Sequence, residues 1–155
     1  MTKQVMHREA GDNAYLHPDF HGALSAGIEY LHQRYGAQAV REYLWQFART
    51  FYAPLTESLR NRGLIALEEH VRRIYDLESA NVRFCRSDDE LRITVDACPA
   101  VTHMHERGYT VARLFHETTD TVNRAICHGT PFDAELLDYD EQTGRGVQRF
   151  YRRET

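Results

Sequence analysis

Apolar residues recur every three or four positions through the first half of the chain and every second position in two later stretches. The first period is that of helices and the second that of half-buried strands. Phe20, Leu24, Gly27, Ile28, Leu31 and Tyr35 mark a first helix, which Gly36 stops. Val40, Leu44, Phe47, Phe51, Leu55 and Leu59 mark a second, closing near Gly63 and bent at Pro54, whose ring crowds the carbonyl of Thr50. A third runs from about Leu64 to Leu77 with Leu67, Val71 and Ile74 inward.

The period then changes. Val82 and Phe84 alternate with Arg83 and Cys85, Ser87-Asp88-Asp89 is turn-like, and Leu91, Ile93, Val95 and Ala97 alternate with polar residues. That pattern predicts a β-hairpin. Cys98-Pro99 opens a short helix ended by Gly108, and a longer helix runs from about Thr110 to Gly129. Phe132 to Asp138 and Val147 to Arg152, joined through Asp140 to Gly144, predict a second hairpin. The expected fold is α+β: N-terminal helices packed with an antiparallel sheet of two β-hairpins, with two helices between the hairpins. Residues 1–13 are polar and expected to be a flexible lead-in, and 14–155 a single domain.

A chain of 155 residues is long enough for one core. Its net charge of −4 supplies no drive toward nucleic acid or an anionic membrane. The basic stretch Arg145 to Arg153 alternates with Val147, Phe150 and Tyr151, as a strand with a solvated face does. Cys85, Cys98 and Cys127 are odd in number and lack metal-site spacing, which argues for a reducing compartment. With no secretory leader pattern and no membrane-length apolar run, the cytoplasm is the expected location.

Nine histidines set the candidate chemistry. At about 100° per residue, His17 and His21 fall about 60° and 100° from Phe20, on the inner margin of the first helix's apolar stripe. Imidazoles four apart can share a divalent transition metal such as zinc; the alternative is two separately hydrogen-bonded side chains. Cys98 stands at a helix N-cap before Pro99. There, unpaired amides and the helix dipole favour the thiolate, the nucleophilic and metal-binding form; the alternative is a small buried hydrophobe. On the same short helix His105 is expected to share the face of Cys98, Val101 and Met104, and His103 to point away. His116 is expected on an outer flank beside Asp120, and His128 at a helix end, where a cation suits the dipole.

The run Cys98-Pro99-Ala100-Val101-Thr102-His103-Met104, with Gly108 and the helix from Phe115 to Gly129 leading into Pro131-Phe132, resembles the L-2-amino-thiazoline-4-carboxylic acid hydrolase family. More distantly it is similar to ligand-binding domains of 4-vinyl-reductase type. The resemblance covers roughly residues 80–150 and implies a site at Cys98, with His103 in the shared run. Where this chain has Pro131-Phe132, relatives carry a further cysteine.

Three functions are expected to compete. One is hydrolysis of a cyclic C–N bond, by a Cys98 thiolate or metal-bound water, with His103 or His105 shuttling the proton. Another is a sensor that holds a small molecule or metal without turnover. The last is a structural role, with the histidines satisfied at a helical homodimer interface.

Overall fold

The structure, a computed structural model, describes residues 19–154. His17, one of the two proposed metal-binding histidines, lies outside the described residues, as does the polar lead-in. Six helices and four strands follow in the order α1 (Asp19–Tyr35), α2 (Ala37–Phe51), α3 (Ala53–Arg62), α4 (Leu64–Leu77), β1 (Val82–Arg86), β2 (Glu90–Val95), α5 (Pro99–Glu106), α6 (Glu117–Cys127), β3 (Phe132–Leu137) and β4 (Gly146–Arg152). This is the α+β arrangement that the two periodicities imply.

Pro54 does more than bend the second predicted helix. It falls at the second position of α3, where a missing N–H costs nothing, and α2 ends at Phe51 with Tyr52 between the two helices. The last predicted helix starts later than Thr110. Residues 113–116 instead form turns, and the irregular stretch 110–112 before them is tied to α1, where Ser25 Oγ donates to the Thr110 carbonyl and accepts from the Ala112 amide, at 2.9 and 2.8 Å.

The two hairpins form one antiparallel sheet of order β1-β2-β4-β3, because β2 pairs with β4 as well as with β1. Leu91 faces Phe150 and Ile93 faces Gln148 in that central pairing. Period two then puts Leu91, Ile93, Val95, Phe132, Ala134 and Phe150 on one buried face. α6 packs on β3, and α4 on β1 and β2. The opposite face is polar: Arg149 bridges Glu90 and Glu135, so the basic C-terminal stretch is a solvated strand face joined by ion pairs.

α2 packs on both α1 and α6 through Val40, Leu44 and Ala48, all buried. Phe47 and Phe51, which the period assigns to the same stripe, are instead 41% and 65% exposed. Among the described residues no helix is long and apolar enough to cross a membrane.

Candidate functional site

Cys98 caps α5 in an extended conformation, φ −73° and ψ 122°, with Pro99 next. β2 delivers the chain to this point, and α5 buries Ala100, Val101 and Met104 behind it. The loop between β3 and β4 lies across the cysteine. The Cys98 amide donates to the Thr143 carbonyl at 2.9 Å, and His105 Nε2 lies 2.9 Å from the Gln142 carbonyl. Asp140 organises the loop from within: its carboxylate accepts from the Gln142 amide and its carbonyl from the Gly144 amide, both at 2.8 Å. Gly144 has φ +66°, and a Cβ added there would lie 2.3 Å from Cys98 Cβ. Only the missing side chain lets the loop close this tightly.

Beneath the loop is a cavity of about 20 Å³. Its polar wall consists of Cys98, Tyr75 of α4, Thr118 and Thr119 of α6, Tyr139 of the loop and Gln148 of β4. Gln148 is a buried polar residue on the inward face of a strand and is held at both ends of its amide. It accepts from Asn123 Nδ2 and donates to Tyr75 Oη, each at 3.0 Å. The phenol oxygen of Tyr75 is thereby occupied, and its own hydrogen is left to turn toward the cavity.

The electrostatics keep the wall neutral. Burial pushes the Cys98 thiol up; the Val101 and Ala100 amides pull it down, and Glu78 adds to the rise, which prevails. The N-cap position exerts a real effect, but desolvation is the larger one. Burial, reinforced by Cys98, pushes Tyr139 up to about 12. It also raises the Tyr75 phenol, with the Gln148 hydrogen bond opposing. At neutral pH the cavity therefore presents thiol and phenol hydrogens and no charge of its own.

The histidines lie elsewhere. On α5 the two expected directions are reversed. His105 is exposed and held by the loop carbonyl, whereas His103 is half-buried against α1, its Nε2 3.0 Å from Asp19 Oδ1. Eight residues of helix is too short a run for wheel angles to outweigh which neighbouring element arrives on each side. No hydrogen bond joins either histidine to Cys98 among the described residues. His21 does lie on the inner margin of its helix, and its Nε2 meets Glu78 Oε1 at 3.1 Å. Among the described residues no three His, Cys, Asp or Glu side chains converge as a metal site would require. His116 is not paired with Asp120, which binds Arg124. Its Nε2 lies 3.7 Å from Glu117 Oε1 and its ring packs on Tyr139. His128 rests against Trp45, while Arg49 and Arg60 take the carbonyls at the end of α6.

Sequence alone singles out Cys98 but not Tyr75, Tyr139 or Gln148. Two of the signals are present in it. Tyr75 follows the inward Val71 by one helical turn, and Gln148 shares the parity of Phe150, a polar residue at an inward strand position. Cys85, Cys98 and Cys127 are all free, with Cys85 exposed and Cys127 buried. No family model matches the chain, and no curated protein matches it.

Proposed function

We propose that the chain is a small-ligand-binding domain of sensor type, with the Cys98 cavity as its site and the loop between β3 and β4 as its cover. The observation that carries this reading is the set of neutral donors around one small cavity: the Cys98 thiol, the two phenols and the Thr119 hydroxyl, the Thr118 hydroxyl already donating to the Phe115 carbonyl. Such a wall suits a small uncharged molecule bearing carbonyl or ether oxygens, because each buried donor then gains an acceptor. At about 20 Å³ the cavity has room for about one water. Pockets for organic ligands measure roughly 300–1,000 Å³, so such a ligand binds by lifting the loop, which converts occupancy into a change of shape.

A panel of small lactams, lactones and cyclic ureas tests this. A binding compound is expected to raise the melting temperature and slow alkylation of Cys98. Tyr75→Phe and Tyr139→Phe should weaken both effects. If no compound of these classes does either, the reading fails.

One observation supports a second reading, the hydrolysis of a cyclic C–N bond. Cys98 stands at the start of α5, with the Ala100 and Val101 amides lowering its thiol against burial. A ligand that brought its own basic nitrogen would supply the base that the wall lacks. Ring-opened product that accumulates with wild-type protein and not with Cys98→Ser would establish turnover. Binding without product would leave the sensor reading.

A further inference from the structure

We propose that the α1–α2 hairpin is a self-association surface whose occupant is a second copy of this chain. Of the eight large apolar side chains that are exposed among the described residues, six lie on these two helices: Phe20, Tyr30 and Tyr35 on α1, and Tyr43, Phe47 and Phe51 on α2. Tyr43, Phe47 and Phe51 are spaced by four and form a row along α2. The rings of Phe47 and Phe51 stack at 5.2 Å, and Tyr52 extends the row at 4.9 Å from Phe51.

Charge is sparse on both rows, which argues for a like surface as partner. On α2, Tyr43, Gln46, Phe47, Thr50 and Phe51 are all exposed and uncharged; on α1, the same holds for Phe20, Ala23, Ala26, Gly27 and Tyr30, with exposed Arg34 one turn beyond Tyr30. In a chain that is 27% charged, two rows so short of charge give little to an acidic or basic partner. They do match each other. Nothing would lie within 4 Å of a Cβ added at Gly27, so a facing helix has an open path to α1.

The area is of the right order. Each of the six rings is between 41% and 65% exposed. At roughly 200 Å² per ring, they offer roughly 600 Å², most of the about 800 Å² per partner that a stable interface buries. Two-fold packing of a row on its own copy is isologous: Phe47, at the centre, meets its counterpart, and Tyr43 meets Phe51.

Sedimentation velocity on the full chain from about 1 to 100 µM tests the proposal. The wild type is expected to sediment as a dimer within that range. Phe47→Glu and Phe51→Glu should each weaken association at least tenfold, while Leu77→Glu, on the other exposed apolar position of a helix, should not. Far-UV circular dichroism checks that each variant folds. Should Phe47→Glu unfold, Ala23→Arg on the exposed side of α1 provides the same test. A wild type that stays monomeric to about 100 µM overturns the proposal, as does a dimer indifferent to these substitutions. A monomer that instead floats with neutral phosphatidylcholine vesicles also overturns it, by assigning the rows to a lipid surface.

Discussion

Replacing Gly144 by alanine tests whether the loop between β3 and β4 seals the Cys98 cavity as tightly as the backbone implies. Two costs arise. The φ of +66° lies in the left-handed region, where a Cβ costs roughly 1–2 kcal/mol. The new methyl would also lie 2.3 Å from Cys98 Cβ and 3.0 Å from Val101 Cγ2, against the roughly 3.5–4.0 Å of carbon contact. Overpacking of that kind costs typically about 1–3 kcal/mol, because the loop must lift and strain the 2.9 Å bond from the Cys98 amide to Thr143. The total is roughly 2–5 kcal/mol, read as a fall of the urea midpoint at unchanged slope or of the melting temperature by roughly 5–20 °C. Gly108→Ala is the control. Its φ is +70° with nothing within 4 Å, so it carries only the conformational cost, about 1–2 kcal/mol. Cys98→Gly removes the nearest clashing atom, and in a double-mutant cycle it should recover about 1 kcal/mol of the Gly144→Ala loss. If Gly144→Ala costs no more than Gly108→Ala, or Cys98→Gly relieves none of it, the loop does not bear on the cysteine and the account of the cavity is wrong.

Iodoacetamide at about pH 7.5 should label exposed Cys85 first and Cys98 well behind it, since burial keeps Cys98 as the thiol; labelling of Cys98 ahead of Cys85 would restore the activated-nucleophile expectation. Cys127, buried and pushed up to about 12, should react only on unfolding. Burial opposes ionisation of Glu117, but its hydrogen bonds with Thr121 and Arg41 outweigh that and hold its folded pKa below the ordinary value. Its contribution is therefore present above about pH 4.5 and lost as pH falls through the folded value. Glu117→Gln should flatten that part of the acid limb in urea titrations, and an unchanged limb would assign it to other carboxylates. Chelation by EDTA should leave the melting temperature of untagged protein unchanged, because Glu78 already partners His21; a marked fall that His21→Ala abolishes would instead establish a stabilising metal.

Local chemistry makes the elements legible in the sequence itself. Alternation fixes the strand faces, since period two leaves a residue such as Ile93 or Phe150 only two sides to choose between. Gly36, Gly63 and Gly129 mark helix ends because their positive φ suits few other residues. Cys98 is legible as a site residue for the same reason: a strand end, a cap and a following proline are all local. What the cavity contains is not local. Tyr75, Tyr139 and Gln148 come from α4, the loop after β3 and β4, and no spacing rule brings elements so far apart in sequence to one place. The thiol's state is equally a tertiary matter, because burial under Gly144 and the loop outweighs the amides of its own helix. The histidines go the same way: periodicity gives each a direction along its helix, but Asp19, Glu78 and the Gln142 carbonyl, each from another element, decide what His103, His21 and His105 meet. Sequence determined which residues could form elements and which face each strand would bury; tertiary packing decided the flank that α2 and α5 bury, as Phe47, Phe51, His103 and His105 show, and which polar groups were desolvated together, and desolvation sets their chemistry.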